Sequence, residues 1–273
     1  MGLMDGKVVL VTGAARGQGR SHAIRFAEEG ADVVALDRCG PVESVPYPLT
    51  EPEDLAETVR AVEALDRRII ARQVDVRDGS AMRSSVVEAA AELGGLDVIL
   101  ANAGVASFSP VREMSDEVWQ DNVDINLTGV FHTVRAGLPH LRGGGSIVLT
   151  GSTASRRAGA NLAHYSAAKH GVVGLMQALA IELGPEGIRV NAVLPTTTDT
   201  AMVQNQTMYD LFLPDKDSPG RADLAEVLPQ LHLLPVPWVE PVDISNACLF
   251  LASPAARYIT GVALPVDAGW LAR

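Results

Sequence analysis

The sequence predicts an α/β fold in which helices cover both faces of a doubly wound parallel sheet of about seven strands. Short apolar, β-branched runs alternate along the chain with longer helix-like segments. Most of these runs are continuous rather than alternating, as in parallel strands buried on both faces. Hydrophobic residues make up 47% of the 273 residues and charged residues 20%, so a sizeable core is available. Since neither a repeat nor a low-complexity tract is visible, we expect a single domain over residues 1–273.

The candidate strands share this apolar, β-branched character. In chain order they are Val8–Thr12, Asp32–Leu36, Ile69–Val74, Asp97–Ala101, Ser146–Thr150, Arg189–Leu194 and Val262–Val266. Helix-like segments lie between them, for example Arg20–Glu29, Pro52–Leu65 and Ser80–Leu93. Strand–helix alternation of this kind is typical of βαβ units and therefore of a parallel sheet.

Two segments break this alternation. Gly40–Pro52, GPVESVPYPLTEP, is rich in proline and too irregular for a helix, which predicts an ordered surface insertion. Residues 196–241 combine prolines, a glycine and scattered apolar side chains, which predicts a long substrate flap with short helices. The apolar side chains of the flap could line a pocket or anchor the flap, and the sequence leaves both open. They are Met202, Met208, Tyr209, Leu211, Phe212 and Trp238.

Charge and cysteine content exclude several function classes. The net charge of −11 repels phosphate backbones, so nucleic acid is not expected as a partner. The N-terminus lacks the pattern of a secretion signal, and the apolar runs are far shorter than the ~20 residues of a membrane helix. Cys39 and Cys248 lack the spacing of a metal or redox pair, so we expect no metal site and favour two reduced thiols over a disulfide. A cytoplasmic protein without membrane contact is therefore expected.

A glycine-rich loop joins the first strand to the first helix. Gly13, Gly17 and Gly19 stand in TGAARGQG, before a helix expected to begin near Arg20. A helix N-terminus offers free N–H groups and a partial positive charge that suit a pyrophosphate, and glycines let the ligand approach closely. The spacing is not the G-x-G-x-x-G form, so a tight structural turn explains the loop by itself about as well as a nucleotide does.

An acid at the end of the second strand adds to this signal. Asp37 can accept hydrogen bonds from the adenosine ribose hydroxyls of a dinucleotide, although a solvated acid at a strand end is the plainer alternative. Arg16 and Arg38 could instead meet the 2′-phosphate of NADP. A carboxylate facing that phosphate costs more than a flexible arginine recovers, so we expect NAD rather than NADP.

Polar segments also follow the fourth, fifth and sixth strands, where an open α/β sheet builds its binding crevice. They are Asn102–Gly104, Gly151–Ser152 and Pro195–Thr196. Tyr165 and Lys169 lie four residues apart and share a face of a predicted helix. A neighbouring ammonium lowers the pKa of a phenol from about 10, which would make Tyr165 a usable acid–base group. Such a pair is common by chance, and only its coincidence with the glycine loop and the strand-end polar groups indicates catalysis.

From TGAARGQG to the C-terminal ITGVALPVDAG, the whole chain resembles the short-chain dehydrogenase/reductase family. The resemblance implies a Rossmann-type fold and a catalytic tetrad. Asn126, in DINLTG, would hold a water in a proton relay, and Ser152 would stabilise the developing alkoxide of the substrate. Tyr165 would be the base in alcohol oxidation and the acid in carbonyl reduction, while Lys169 would tune Tyr165 and bind the nicotinamide ribose.

The same resemblance implies the cofactor contacts. Asp75 and Val76, in VDVRD, match the pair that flanks the adenine. The chain departs from the family where Gln18 replaces an aliphatic residue and where Thr196 replaces a glycine. The expected contacts are Gly13, Arg16, Gly17, Gln18, Gly19, Asp37, Arg38, Asp75, Val76, Asn102, Ala103, Gly104, Tyr165, Lys169, Pro195, Thr198 and Thr200.

Within that family, the chain resembles the mycofactocin-coupled, carveol-dehydrogenase-like group. The resemblance rests on ALDRCGPVESVPYPLTEPEDLAETV, on Gln18 and on the ending VDAGWLAR. It implies tightly held NAD that is reoxidised by an external carrier, mycofactocin, and a secondary alcohol or ketone as substrate, such as the cyclic terpenoid carveol. Because Gly40–Pro52 follows Asp37 directly, we hypothesise that this insertion covers the adenosine end of the cofactor.

Assembly and rival functions complete the expectations. Between Lys169 and Glu182, HGVVGLMQALAI carries no acid, lysine or arginine, and a helix that is apolar all round needs cover on every side. A second subunit is the simplest cover, and the family resemblance implies a homotetramer.

The rival functions are those of a generic NAD(P)-dependent carbonyl reductase with freely exchanging cofactor, a non-catalytic NAD sensor and a sugar-nucleotide epimerase or dehydratase. The intact tetrad disfavours the sensor, and the lack of a larger substrate domain disfavours the epimerase.

Overall fold

A parallel sheet forms the centre of the protein, for which a computed structural model describes residues 2–273. Its seven strands are β1 (Val8–Thr12), β2 (Asp32–Asp37), β3 (Ile69–Gln73), β4 (Leu96–Ala101), β5 (Leu141–Thr150), β6 (Arg189–Pro195) and β7 (Ala263–Val266). They lie in the order β3-β2-β1-β4-β5-β6-β7, and every neighbouring pair is parallel. The order reverses between β1 and β4, and a crevice forms at such a switch point, outside the carboxyl ends of the strands.

Helices cover both faces of this sheet. Among residues 2–273 they are α1 (Gly17–Glu28), α2 (Pro52–Glu63), α3 (Gly79–Leu93), α4 (Asp116–Val123), α5 (Gly129–Gly137), α6 (Ala163–Leu183), α7 (Gln206–Phe212), α8 (Arg221–Val227) and α9 (Pro241–Ala252). Val9 and Val11 of β1 pack with the helices α1, α2 and α9, whereas Val8 and Leu10 pack with α3, α5 and α6. Successive residues of a strand therefore pack into hydrophobic cores on opposite faces of the sheet, which explains why the strands are continuously apolar. The predicted doubly wound fold is confirmed.

The boundaries differ from the sequence prediction in two informative places. Strand β5 begins at Leu141, five residues before the predicted Ser146, and its register against β4 shifts at the glycine run between these two residues. Leu141 pairs with Leu96, and the next pair is Ser146 with Val98. Glycines carry no apolar signal, so the sequence pattern missed this part of the strand. Helix α1 begins at Gly17 rather than near Arg20, so its first turn contains two of the three loop glycines.

Residues 40–51 of the predicted insertion are irregular and Pro52 begins α2, and the segment is fastened to the domain. Val42, Val45 and Tyr47 are buried in the core on the α3, α5 and α6 side of the sheet. Ser44 donates a hydrogen bond of 2.7 Å to Asp121. The Thr207 hydroxyl of α7 donates to the Pro46 carbonyl at 3.2 Å. The insertion therefore bridges the main domain and the flap.

The flap of residues 196–241 carries α7 and α8 and has a small apolar core of its own. Its buried members are Val203, Met208, Leu224 and Leu228. A parallel bridge between Thr198 and Val239 joins the two ends of the flap. The flap thus leaves the domain after β6 and returns to it just before α9.

One face of α6 is uncovered. Ala167, His170, Gly174 and Ala178 are exposed on this helix, and Ile181 is 80% exposed. The sheet covers the opposite face through Val172 and Met176, among others. Among the helices of residues 2–273, this one included, none has both the length and the apolar character to cross a membrane.

Candidate active site

A cleft opens along the carboxyl ends of the strands, at the switch point between β1 and β4. All of the residues that the sequence singled out for cofactor contact or catalysis line it. They come from the glycine loop, from the ends of β2 to β6, from the π-helical turn Asp124–Thr128 and from α6. Residues far apart in sequence are therefore brought to one surface, as the fold requires of strand-end segments.

The glycine loop is packed too tightly for larger residues. A Cβ added to Gly19 would lie 1.9 Å from the carbonyl oxygen of Gly13, and a Cβ on Gly13 would lie 2.9 Å from Cα of Ala103. Gly13 and Gly17 adopt φ values of +68° and +55°, which favour glycine. The loop is thus a tight structural turn, and it also places the N–H groups of the first turn of α1 beside the cleft.

Asn102 connects the two strands at the switch point. Its side chain donates to the Thr12 carbonyl oxygen at 3.0 Å, and its backbone N–H donates to the Thr12 hydroxyl at 3.2 Å. Since Thr12 ends β1 and Asn102 follows β4, these bonds hold the two strand ends together below the cleft. Ala103 and Gly104 follow directly and form part of the cleft wall.

The Asp37 carboxylate accepts several hydrogen bonds at the end of the cleft beyond β2. Its carboxylate accepts from the backbone N–H of Ala15 at 3.0 Å, from that of Cys39 at 3.0 Å and from the Thr50 hydroxyl at 2.6 Å. The carboxylate therefore ties the glycine loop to the insertion. Carboxylate oxygens accept several hydrogen bonds, so this arrangement leaves capacity for a ribose hydroxyl.

Both arginines near Asp37 contact other groups, although Nη1 of Arg38 is buried without a hydrogen-bond partner in residues 2–273. Arg38 pairs with Asp75, with 3.4 Å between Nε and the carboxylate, and Arg16 donates to the Pro48 carbonyl at 2.6 Å. A 2′-phosphate would have to displace these contacts and lie beside the Asp37 carboxylate. The geometry agrees with the expectation of NAD rather than NADP.

Ser152, Tyr165 and Lys169 meet at the centre of the cleft. Ser152 follows β5 and caps a 3₁₀ turn, its hydroxyl accepting from the N–H of Ala154 at 3.1 Å. Tyr165 and Lys169 lie on α6, and the ammonium nitrogen is 5.6 Å from the centroid of the phenol ring. Lys169 is 3% exposed and donates to the Thr150 carbonyl at 2.9 Å. Adjacent turns of one helix thus present a phenol and an amine to one place, as the spacing predicted.

One sequence expectation about this cluster is wrong. Loss of surrounding water raises the pKa of Tyr165, and only contact with the Ser152 hydroxyl opposes this rise. The expected lowering by Lys169 does not outweigh desolvation of the phenol, and burial also lowers the pKa of the amine, from 10.5 to about 8. A lysine whose charged form is itself disfavoured stabilises a phenolate less than a solvated ammonium would.

Asn126 is fully buried in the π-helical turn between α4 and α5. Its side-chain amide donates to the carbonyls of Val105 and Asn122, and its oxygen accepts from the Val105 N–H at 3.2 Å. A Cβ on Gly104 would lie 2.8 Å from that oxygen and 3.5 Å from the Lys169 amine. Asn126 therefore positions the loop after β4 beside Lys169, whereas its role in holding a water stays a prediction.

The insertion was expected over the adenosine end of the cofactor, but none of its residues was singled out from the sequence as lining the cleft. Val42, Tyr47, Leu49 and Thr50 all line it. The Tyr47 hydroxyl accepts from the Ala106 N–H at 3.2 Å, and burial, more than any other factor, raises the pKa of this phenol to about 12. The only available signal was an aromatic residue between two prolines in a segment that follows the strand-end acid.

The structure separates the two readings of the apolar flap residues. Met202 lines the cleft, together with Val203. Met208, Tyr209, Phe212 and Trp238 belong to the small core of the flap, and Leu211 is 37% exposed. Most of these side chains therefore anchor the flap, and one of the six faces the cleft.

The two cysteines are free thiols in the part of the chain that the structure covers, as the sequence favoured. Cys248 lies in the core beside α1, and Cys39 is half-buried at the end of β2. No disulfide therefore contributes to the stability of the fold over residues 2–273.

The fold and its cleft define a Rossmann-type protein with a Ser–Tyr–Lys cluster at the switch point. The family model for short chain dehydrogenases matches residues 7–209. The chain belongs to the short-chain dehydrogenase/reductase family and to its carveol-dehydrogenase-like group.

Three relatives support this assignment along the full length of the chain. The (−)-trans-carveol dehydrogenase of Rhodococcus erythropolis is 50% identical over 273 residues, which cover 98% of this chain and 99% of that protein. The crystal structure of carveol dehydrogenase from Mycobacterium avium in complex with NAD has a TM-score of 0.98 and 57% identity, with complete coverage of both chains. A short chain dehydrogenase from Mycobacterium paratuberculosis bound to NAD has a TM-score of 0.91 and 42% identity, again with complete coverage.

Proposed function

We propose that the protein oxidises a secondary alcohol to a ketone, and catalyses the reverse reduction, with NAD as its cofactor. The meeting of Ser152, Tyr165 and Lys169 in a cleft that ends at Asp37 carries this proposal. Two similar proteins have crystal structures with bound NAD, and two relatives at 50% and 57% identity are carveol dehydrogenases. These relatives confirm the predicted cofactor, NAD, and the predicted class of enzyme, an NAD-dependent alcohol dehydrogenase.

The cleft suits a dinucleotide at both ends. Asp37 offers carboxylate oxygens at the adenosine end, and the first turn of α1 offers N–H groups in the middle. Near β6, the side-chain oxygen of Gln18 is buried and has no hydrogen-bond partner in residues 2–273, which leaves an acceptor for a ligand group. When bound, NAD supplies the hydride acceptor for oxidation and the hydride donor for reduction.

The protein supplies the positioning and the proton transfer. The Ser152 hydroxyl donates a hydrogen bond to the substrate oxygen and stabilises the charge that develops there. The phenol oxygen of Tyr165 takes the hydroxyl proton of the alcohol in oxidation and returns a proton in reduction. Because burial lowers the pKa of Lys169 to about 8, its amine can exchange a proton near neutral pH and relay it from Tyr165.

We propose an apolar cyclic alcohol, such as the terpenoid carveol, as the substrate. Met202, Val203, Val105 and Ile125 line the cleft with apolar surface, and the hydroxyl of Ser152 lies in the same cleft. An apolar pocket with few polar groups orients a small ring mainly through its single oxygen. The relative from Rhodococcus erythropolis is a (−)-trans-carveol dehydrogenase, which supports the same substrate class.

We also propose that the cofactor is retained between turnovers and reoxidised in place by a carrier such as mycofactocin. The insertion closes over the cleft through Arg16–Pro48 and Thr50–Asp37, and it is braced against the flap through Thr207. Several contacts must break together before this cover opens, which slows release of a bound ligand. Protein purified without added nucleotide should contain NAD, and nucleotide-free protein at this step would refute retention.

The uncovered face of α6 supports a proposed homotetramer. Ile181 and the small residues of this face would be buried by a second copy of the chain. The two free thiols agree with work in the reducing cytoplasm, which we likewise propose. Size-exclusion chromatography with light scattering that gave only a monomer would contradict the assembly.

Replacement of Tyr165 by phenylalanine tests the proposed reaction. Tyr165→Phe should lower the rate of alcohol oxidation by about 100-fold or more, because it removes the acid–base group, while NAD remains bound. Tyr258→Phe is the control, since Tyr258 is 89% exposed. A screen of secondary alcohols, run with NAD alone and then with an artificial electron acceptor, provides the assay. Unchanged turnover in Tyr165→Phe would refute the assigned role, and turnover with NAD alone would favour a freely exchanging cofactor.

A further inference from the structure

The side chain of Gln18 offers the cleft an unused hydrogen-bond acceptor. Gln18 lies in the first turn of α1 and lines the cleft. Its amide nitrogen donates to the Thr198 hydroxyl at 3.4 Å, whereas its Oε1 is buried and finds no partner among residues 2–273. A buried acceptor without a donor is destabilising, so a bound ligand with a donor would gain from this position.

The orientation of this amide is fixed by its neighbour. Thr198 is buried, and its hydroxyl donates to the Thr196 carbonyl at 3.1 Å. A hydroxyl carries one proton, so the Thr198 oxygen can only accept from Gln18. Gln18 must therefore present its nitrogen to Thr198 and its oxygen to the other side.

Thr196 is anchored in turn. Its hydroxyl lies 3.0 Å from Nε2 of His232, and Nδ1 of His232 lies 2.8 Å from the Val236 carbonyl. Since a carbonyl can only accept, Nδ1 carries the proton and Nε2 accepts from Thr196. His232 thus holds the side chain of Thr196 in place, while the backbone carbonyl of Thr196 holds the Thr198 hydroxyl that sets the orientation of the Gln18 amide.

The chemistry of NAD limits what could meet this oxygen. Phosphate oxygens are acceptors and would repel it, so the pyrophosphate is excluded. The adenine amine belongs to the end of the cleft marked by Asp37 and Val76, beyond β2 and β3, whereas Thr198 follows β6. The hydroxyls of the adenosine ribose belong to the same end, beside Asp37. The remaining donors are the hydroxyls of the nicotinamide ribose, which the family resemblance assigns to Lys169, and the amine of the nicotinamide carboxamide.

We propose that Gln18 Oε1 accepts a hydrogen bond from the carboxamide amine of the nicotinamide, which makes Gln18 a residue that selects and orients this ring. The proposal rests on the NAD-dependent function above. The carboxamide then has a fixed partner, and the ring can present only one face to the substrate side of the cleft. The same bond adds to the retention of the cofactor.

An NAD analogue without the amine tests this assignment. In 3-acetylpyridine adenine dinucleotide, a methyl group replaces the amine of the carboxamide. Wild-type protein is dialysed to equilibrium against a mixture of NAD and the analogue, and the bound nucleotides are quantified by chromatography. This measures relative affinity without turnover and without prior removal of retained NAD. Wild-type protein should prefer NAD by about tenfold, because the analogue leaves Oε1 unpaired.

The variants identify Gln18 as the source of that preference. Gln18→Leu removes the acceptor and should reduce the preference to within about twofold. Gln120→Leu, at an exposed position of α4, is the matched control and should keep it. Thr198→Val leaves Gln18 in place but releases its amide, so this variant should also lose part of the preference. It provides the test if Gln18→Leu fails to fold.

Each result decides between the two proposals. Equal binding of NAD and the analogue by wild-type protein, or an undiminished preference in Gln18→Leu, would overturn the role of Gln18 and leave the proposed function intact. Wild-type protein that binds neither nucleotide would overturn both. A preference in wild-type protein that disappears in Gln18→Leu and persists in Gln120→Leu would support the proposal.

Discussion

Replacement of Lys169 by methionine should inactivate the enzyme and also change how its stability depends on pH. The amine is 3% exposed, and burial lowers its pKa from 10.5 to about 8. Methionine fills a similar volume without a charge, so Lys169→Met removes the cost of desolvating an ammonium. It also leaves the Thr150 carbonyl without its donor, which costs about 1 kcal/mol at every pH.

The magnitude follows from the size of the pKa shift. Each pKa unit corresponds to about 1.4 kcal/mol, so burial of Lys169 destabilises the nucleotide-free protein by about 3 kcal/mol below pH 8, where both states are protonated. Between about pH 8 and pH 10.5 the unfolded chain still binds a proton that the folded chain has released. Stability therefore rises with pH across this window. Of the 3 kcal/mol, about 2 kcal/mol should be recovered between about pH 7 and about pH 9.5.

Urea unfolding of nucleotide-free wild-type and Lys169→Met protein at these two pH values measures the difference. The free energy of unfolding of the wild type, relative to the variant, should rise by about 2 kcal/mol. Lys216→Met is the control, because the neighbouring Asp223 carboxylate raises the pKa of this exposed lysine, a shift of opposite sign. A wild-type-to-variant difference that stays constant over this pH range would refute the depressed pKa of Lys169 and its proposed proton relay.

Three further substitutions test the loop, the cover and the flap. Gly19→Ala places a Cβ 1.9 Å from the Gly13 carbonyl oxygen, so we expect loss of NAD binding and a stability loss of about 2 kcal/mol or more in thermal melts. Gly184→Ala is the control and should melt like wild type, because a Cβ at this position would meet no atom of residues 2–273 within 4 Å, apart from its chain neighbours and its own helix backbone. A normal melt for Gly19→Ala would count against the tight packing of the glycine loop. Thr50→Val cuts the 2.6 Å bond to the strand-end carboxylate and should speed NAD release about fivefold in dialysis, whereas an unaltered release rate would argue against the insertion as a cover. His232→Leu breaks the contact that joins Thr196, at the start of the flap, to the later part of the flap. It should lower kcat/KM for bulky cyclic alcohols more than for small ones, and equal losses would point to a purely structural role.

Much of the active-site cleft was predictable because its signals are local. The glycine loop, Asp37 and the Tyr165–Lys169 pair each follow from spacing within one element or at one strand end, and all of them line the cleft. Tyr47 and Thr50 were missed as lining residues, because the contact of Tyr47 with Ala106 spans 59 residues of sequence. No short pattern encodes a contact of that separation.

The sequence by itself determined the sheet, its strand ends and the family, since apolar periodicity and glycine spacing act over a few residues. Only the tertiary structure decided how Gln18 is oriented, because its partner Thr198 lies 180 residues away. Only burial decided that the pKa of Tyr165 rises and that of Lys169 falls, because desolvation depends on every element that surrounds a group. Short sequence patterns thus place the catalytic residues on their helices and strand ends. Packing between segments that are distant in sequence sets the pKa values of these residues and the shape of the insertion that covers the cleft.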